Sequence, residues 1–480
     1  MQIDKSNFSE WYNTITKDAE LCDLRYGIKG FVVFMPWSVM TMNRMYSMME
    51  QALEKKGHVP ALFPALIPES YLTKESKHVE GFVPEVMWVT QAGSTDLEER
   101  CAMRPTSETA MYTMYSMWIH GLKDLPLKIY QRCQVWRYET KATKPFIRSR
   151  EFYWIEAHDC FATEKDAMKQ VREDMETSEE VLHQQYGIPF LFFKRPQWDK
   201  FPGAVNTFAA DTLMPDGKAL QLPSTHMLGQ NFSKAFDVKY KDEKGNDEYV
   251  WQTCYGPAIS RIYAALIAMH GDSNGLIIPF DLAPVQVVIV PIYRDDTKKA
   301  VLKECKKLQK KLSKDFTVKL DDSDNTPGFK FNQWEMKGVP IRLELGPRDL
   351  EKGQVVLVRR DTKEKSFVSL KSSELKKMIL KTRDSILETL KSRADQWFSD
   401  KLSFADTMGE LERKTESRGF IRVPFCTEEL DGKPCAEVLK DKFQMNMRGS
   451  LFGTDTHPKD KKCIACGKDA TVYLYAAHQY

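Results

Sequence analysis

The chain reads as an α+β protein: an antiparallel sheet ringed by helices, then a smaller mixed α/β module, then a short cysteine-bearing end. Three observations predict this. Between residues 101 and 270, strand-like segments and helices fall in separate runs rather than in strict alternation, the signature of an antiparallel sheet with helices around it. From "QVVIVPI" through "TKKAVLKECKKLQKKLSKD" to "FTVKLDD", "GVPIRLELG" and "QVVLVRR" the pattern does alternate, as in a small mixed α/β unit. The last stretch, 399–480, carries four of the ten cysteines. Units of 1–283, 284–398 and 399–480 are expected, in line with a chain of 480 residues.

Taken in order, residues 37–58 place Met42, Met45, Tyr46, Met49 and Leu53 at helical spacing, predicting an amphipathic helix on a sheet. "VPALFPALIP" is strand-like but broken by prolines. A helix is expected over 107–120, and a strand pair around the loop inside "WRYETKATKPFIRSREFYWIE", 136–156. A solvated helix over 164–186 follows, then strands in "NTFAADTLM", "KALQLPSTHML" and "EYVWQTCYG", then an apolar helix over 258–270. A long charged helix over 371–398 leads into the final segment.

Composition narrows the function classes. Hydrophobic residues make up 42% and charged residues 29%, with a net charge of +3, enough to build real cores. No apolar run reaches the roughly 18 residues of a membrane helix, so no membrane partner is expected. The N-terminus is polar and acidic, without the apolar stretch of a signal peptide. Cysteines without a secretory signal suggest a reducing, cytoplasmic setting. Residues 294–400 carry 26 Lys/Arg and 18 Asp/Glu, a net of +8, leaving −5 for the remainder. A basic module on a near-neutral body suits a polyanion, although a solvated lysine surface gives the same count.

Residues 136–156 pose the sharpest question. Arg137 and Glu139 would share one face of a strand, and Arg148, Phe152 and Glu156 one face of the returning strand. Guanidiniums grip phosphate or carboxylate in bidentate fashion, and an aromatic plate stacks on a base. Such a face suits a nucleotide; cross-strand salt bridges are the plainer alternative.

The pattern Arg-x-Glu, loop, Arg-xxx-Phe-xxx-Glu resembles motif 2 of class II aminoacyl-tRNA synthetases. "EKKGHVPALFPALIP", with Gly57 and Pro64, resembles motif 1. "CYGPAISRIYAAL" resembles motif 3, keeping Arg261 but with Ala258 and Ser260 where glycine and an acid are frequent. The blocks "CAMRPTSETAMYTMYSMWI", "IRSREFYWIEAHDCF", "LPSTHMLGQNFSKAFDV" and "PGFKFNQWEMKGVPIRLELGPRDLEKGQVVLVRRD" are similar to prolyl-tRNA synthetases of the archaeal and eukaryotic type, over nearly the whole chain.

The resemblance implies a two-step ligase. L-proline and ATP give prolyl-adenylate, and the prolyl group then passes to proline tRNA, with no role for DNA. It places Arg137 on the α-phosphate and the proline carboxylate, and Arg148 and Arg261 on the β- and γ-phosphates. Glu139, Phe152, Gln221 and Ser224 complete the ATP site, Phe152 stacking on adenine, with Mg2+ bridging the phosphates. The proline pocket is formed by Thr106, Glu108, Trp154, Glu156, His158, Phe201 and His226. Ser107 and Glu108 could instead simply start a helix. Glu344 and Arg348 match the region that reads the anticodon, or else form a strand-end salt bridge. Motif 1 implies a homodimer. Some relatives of bacterial type insert a large hydrolytic domain between motifs 2 and 3; the 99 residues from 157 to 255 are expected to leave no room for one here.

Cys426, Cys435, Cys463 and Cys466 end the list. Cys-x-x-Cys-Gly at 463–467 resembles a zinc knuckle, the first pair being more widely spaced than in the common template. The family's C-terminal zinc domain implies these four as ligands of a structural Zn2+, with His457 and His478 as alternatives. Competing identities are another class II synthetase, threonyl or seryl, and a non-catalytic tRNA-binding paralogue.

Overall fold

Strands Leu127–Trp136 and Glu151–Phe161 pair antiparallel, from Leu127 opposite Cys160 to Trp136 opposite Glu151, at the heart of the computed structural model. Residues 4–76, 86–139, 142–454 and 457–480 are described. From one edge the main sheet runs Val59–Pro60, Leu127–Trp136, Glu151–Phe161, Trp251–Tyr255, Ala219–Gly229, Asn206–Leu213 and Leu191–Lys194. Only the short edge strand Val59–Pro60 is parallel to its neighbour in this part. Its proline is tolerated there because an edge position needs no ladder donor.

One face of the sheet is closed by helices Pro36–Lys55, Glu164–Ser178 and Ile259–His270. Met42, Met45, Tyr46, Met49 and Leu53 all turn inward, as their spacing predicts, and pack with Ile262, Tyr263 and Leu266. Ile259–His270 is apolar nearly all round and accordingly buried. Helices Glu108–Trp118 and Asn231–Phe236 stand at the other face, packed through Tyr112, Phe232 and Phe236. They flank the cleft and leave its floor open.

A second sheet of five strands follows the predicted alternation. Val287–Pro291 is parallel to Val318–Leu320 and Ile341–Leu345, and Gln354–Arg359 and Lys365–Ser369 add antiparallel. Helices Lys298–Leu312 and Ser372–Ser399 cover one face. The final segment pairs strands Leu402–Phe404, Phe420–Phe425, Val472–Ala477 and Asn446–Leu451. The last of these bonds to Leu191–Lys194 through Ser450 opposite Lys194. The C-terminal strands therefore extend the main sheet to eleven strands.

Several local expectations shift. The first strand of the 136–156 pair ends at Trp136 and the second starts at Glu151. Arg137, Glu139 and Arg148 thus lie in the connection, and the expected shared strand faces do not apply to them. Arg148 closes a turn with Lys144 instead. The helix expected over 164–186 is α-helical only to Ser178 and widens to π-type bonding over Glu179–Gln185. "EYVWQTCYG" splits at Val250 into the end of a hairpin, Lys239–Lys241 with Asp247–Tyr249, and the sheet strand Trp251–Tyr255. Helices Phe8–Asp18 and Pro327–Met336 add to the predicted elements. Among the described residues no helix is long and apolar enough to cross a membrane.

Candidate active site

The cleft opens on the uncovered sheet face. Alternation along Glu151–Phe161 sends Phe152, Trp154, Glu156 and His158 into it together. Thr106, Glu108, Arg137, Phe201, Gln221, Ser224, His226 and Arg261 line the same cavity. Twelve of the residues singled out in the sequence are thereby gathered around one space. Gly256 keeps it open, since a Cβ there would stand 3.1 Å from the Trp154 ring.

One end of the cleft is built for a cation. Glu156 is buried and accepts hydrogen bonds from Ser107 N at 3.1 Å, from the Ser107 hydroxyl, and from Gln131 Nε2 at 2.7 Å. Burial works against its charge, but the His158 contact and these donors outweigh it and hold the carboxyl below its usual range. His158 Nε2 lies 3.2 Å from Glu156, and its Nδ1 is 2.9 Å from the Tyr112 hydroxyl. Burial disfavours the charged ring, yet the hydrogen bond to Glu156 and the fields of Glu108 and Glu156 raise its pKa. Glu108 accepts from the Thr106 hydroxyl; burial pushes its carboxyl up.

Ser107 stands at the N-cap of Glu108–Trp118, but its side chain makes no cap bond. Its hydroxyl goes to Glu156 instead. The short run "RPTSET" therefore does more than start a helix. His226 completes this end, between Thr207 Oγ1 at 2.9 Å and Ser224 Oγ at 3.0 Å. Burial, helped by the charges of His158 and Arg195, takes its pKa down to about 3, so the ring is neutral. The Phe201 ring lies 4.8 Å from it and walls the space.

The other end is cationic. The Arg137 guanidinium lies 5.1 Å from the Phe152 ring and 5.7 Å from Trp154, its side chain still open to the cleft, and its Nε donates to Pro105 O at 3.0 Å. Arg261 donates to the carbonyls of Ile147 and Gln221. Burial and the neighbouring charges of Arg137 and Arg148 bring Arg261 down to about 10. Arg148 and Arg261 share a second, largely polar recess that adjoins the cleft at Gln221. Glu139 is 4.0 Å from Arg148 and does not line the cleft. Neighbouring cations of this kind repel one another unless an anion joins them.

Two further residues, Arg195 and Asp211, carry no sequence signal. Arg195 lines the cleft and is held by Asp211 and Gln221 at 2.8 and 3.1 Å. Neither it nor Asp211 lies in a motif, and only their buried pairing reveals them. In the second sheet, Glu344 is buried and ion-paired with Arg342 at 3.0 Å and Lys365 at 3.3 Å. Arg342 also reaches Glu335 at 2.8 Å and lies over Phe331. Arg348 is exposed on the short helix Pro347–Glu351.

The four C-terminal cysteines converge, their sulfurs all within 4.8 Å of one another. Cys426 and Cys435 are 3.7 Å apart, close to the ~3.8 Å edge of a tetrahedron with zinc–sulfur bonds of about 2.3 Å. Among the described residues neither His457 nor His478 joins them. The donor set fits a structural zinc ion.

An antiparallel sheet, a bipolar cleft between arginines and carboxylates, and a basic α/β module together define a class II aminoacyl-tRNA synthetase. Family models agree: the tRNA synthetase class II core domain (G, H, P, S and T) matches residues 88–270, the anticodon binding domain 286–382, and the prolyl-tRNA synthetase C-terminal region 408–480. The proline–tRNA ligase of Thermofilum pendens is 50% identical, covering 99% of this chain and 98% of its own. That of Pyrococcus abyssi is 39% identical with the same coverage. Among solved structures, Giardia lamblia prolyl-tRNA synthetase in complex with prolyl-adenylate superposes with a TM-score of 0.95 at 36% identity, covering 100% of this chain and 99% of that one. The Cryptosporidium parvum enzyme complexed with halofuginone and AMPPNP gives 0.91 at 35% identity, with the same coverage. The chain belongs to the prolyl-tRNA synthetase family, the proline–tRNA ligases. A threonyl or seryl identity is not favoured. Nor is a non-catalytic paralogue, since Arg137, Arg148 and Arg261 all stand around the site.

Proposed function

We propose that this enzyme joins L-proline to ATP as prolyl-adenylate, releases pyrophosphate, and passes the prolyl group to proline tRNA. The observation that carries this reading is the polarity of one cleft, with Glu108, Glu156 and His158 at one end and Arg137 and Arg261 at the other. A zwitterionic amino acid with a compact apolar ring fits between them. Its secondary ammonium meets Glu108 and Thr106, and its ring lies against Trp154 and Phe201. Its carboxylate turns toward Arg137.

From there the chemistry is positioning. Carboxylate oxygen attacks the α-phosphorus and pyrophosphate leaves. Arg137 bridges the two anions, which otherwise repel, and stabilises the charge that develops between them. Arg148 and Arg261 hold the departing phosphates, and Phe152 takes the adenine. Gln221 and Ser224 fix the nucleotide against the strand. ATP enters as its magnesium complex; the metal takes oxygen ligands, and Glu139 beside Arg148 and Asp199 in the recess of Arg148 and Arg261 are the nearby carboxylates.

The unit built on the second sheet, which holds the basic stretch 294–400, takes the tRNA anticodon, with Glu344 and Arg348 on its reading side. Cys426, Cys435, Cys463 and Cys466 hold zinc, which ties the C-terminal loops together. The units are 1–283, 284–398 and 399–480. The enzyme works in the cytoplasm as a homodimer through its motif 1 edge. The inward packing of Met42, Met45 and Met49 assigns that helix face to the core. The partner surface is therefore the outer strip around Val59, Leu62 and Trp118, where Leu62 is 82% exposed.

Pyrophosphate exchange with a panel of proline, threonine, serine and alanine tests the reading. Exchange led by proline supports it, and exchange led by threonine or serine overturns it.

A further inference from the structure

A buried charge triad joins the C-terminal segment to the wall of the cleft. Asp211 is completely buried and accepts from both terminal nitrogens of Arg195, at 2.8 and 2.9 Å, and from Nε of Arg448 at 2.7 Å. Arg195 and Arg448 are themselves 2% and 4% exposed. Arg195 also donates to the backbone carbonyl of Arg448 at 2.7 Å and to the side-chain oxygen of Gln221 at 3.1 Å. Gln221 in turn accepts at its backbone carbonyl from Arg261. A continuous path therefore runs from Arg448 through Asp211 and Arg195 to Gln221, and so to the arginine end of the cleft.

The backbone is shaped to deliver Arg448. Strand Asn446–Leu451 slips its register between Met447 and Gly449, leaving Arg448 as the extra residue of a bulge, a device that re-aims a side chain. Gly449 has a φ of +120°, and a Cβ there would meet Lys194 O at 2.0 Å. A second irregularity, between Ala209 and Asp211, lets Asp211 face Gln221 across the strands. Two bulges on different strands thus converge on one carboxylate.

The charge balance has a consequence. Two guanidiniums on one buried carboxylate leave a surplus positive charge, and Arg195 faces the cleft. If Arg448 were absent, Asp211 would neutralise Arg195 alone, and its grip on Gln221 would slacken. A buried pair stripped of one partner is strongly perturbed.

We propose that Arg448 is a positioning residue for amino-acid activation, acting through Asp211 and Arg195 to fix Gln221 on the nucleotide side of the cleft. The C-terminal segment thereby completes the active site rather than merely flanking it. The inference rests on the nucleotide reading of that side of the cleft.

The test is a double-mutant cycle on the full-length enzyme, read by proline-dependent pyrophosphate exchange. Arg448→Met, folded by circular dichroism and with its zinc content unchanged, is expected to raise the KM for ATP at least tenfold. The KM for proline should move less than twofold, and Arg448→Lys should recover part of the loss. In a Gln221→Ala background the same Arg448→Met change should raise the KM for ATP less than threefold, because the path is already cut. An unchanged KM for ATP in folded Arg448→Met overturns the proposal. So does a full tenfold effect persisting without the Gln221 side chain. If Arg448→Met does not fold, the cycle is run with Arg448→Lys, where coupling to Gln221→Ala supports the proposal and strict additivity overturns it. Failure of the wild type to exchange with proline at all would instead overturn the functional reading beneath it.

Discussion

His158 stands between two partners, with Nε2 3.2 Å from Glu156 and Nδ1 2.9 Å from the Tyr112 hydroxyl, all three side chains buried. The ring's pKa is raised above its ordinary 6.5 and that of Glu156 lowered below 4.5. The two signs act over different windows. The raised histidine stabilises fully below its unfolded value and loses that contribution as pH climbs through the folded one. The depressed carboxylate contributes above its unfolded value and fails as pH falls through the folded one. Thermal melts of wild type and His158→Gln should therefore differ most near about pH 6 and converge as pH rises. A gap that held constant into the alkaline range would show that the ring's charge contributes nothing.

Arg137 lies against two aromatic rings, and in the proposed mechanism Arg137→Ala removes the cation between the two anions of the reaction. Loss of one preorganised donor lowers the chemical step by about 10²–10³. Proline-dependent exchange should drop by that factor in a variant that still melts normally, and near-normal exchange would remove Arg137 from the chemistry.

How much of this was legible beforehand depended on whether local periodicity survived. Phe152, Trp154, Glu156 and His158 alternate along an unbroken strand, so sequence parity placed all four on the cleft face. Gln221, Ser224 and His226 do not share parity. Simple alternation would turn Gln221 away, and only the register shift opposite Asp211 brings it round. Arg148 shares parity with Phe152 but sits in a turn before the strand starts, so parity said nothing true about it. The Arg195–Asp211–Arg448 triad joins residues 237 apart in the chain, a separation at which no spacing rule operates. Glu344 pairs with Arg342 and Lys365, the second on a separate strand that spacing along the chain does not bring to it.

The four cysteines are drawn from a strand end, a helix start and a tight turn. Metal analysis of the purified enzyme is expected to return about one zinc per chain. Cys463→Ser should lower both the metal content and the melting temperature of the C-terminal segment, and a chelator should do the same. A zinc-free wild type of undiminished stability would refute the assignment.

The exposed strip at the motif 1 edge should be covered by a second copy, since a two-fold, self-complementary patch is the usual solution. Leu62, 82% exposed, lies where Leu62→Glu would bury two charges near the axis. Light scattering is expected to give a dimer for the wild type and a shift toward monomer for the variant. A monomeric wild type at micromolar concentration would dispose of the interface.

The last expectation concerns discrimination. Alanine is smaller than proline and enters any pocket that admits it. A missing methylene is worth only about 1–3 kcal/mol, so binding alone selects weakly. A hydrolytic site would have to come from the chain between motifs 2 and 3. Residues 157–255 are taken up by the sheet and its cover: the end of Glu151–Phe161, helices Glu164–Ser178 and Asn231–Phe236, and strands Leu191–Lys194, Asn206–Leu213, Ala219–Gly229 and Trp251–Tyr255. The hairpin Lys239–Lys241 with Asp247–Tyr249 accounts for most of what is left. Each of these elements packs on the main sheet or walls the cleft, so none is free to form a second hydrolytic domain of ordinary size. The enzyme should misactivate alanine and leave alanyl-tRNA bearing the proline anticodon intact. Incubating it with that mischarged tRNA decides the point: deacylation at the spontaneous rate is expected, and clearance well above it would reveal a hydrolytic centre elsewhere in the chain.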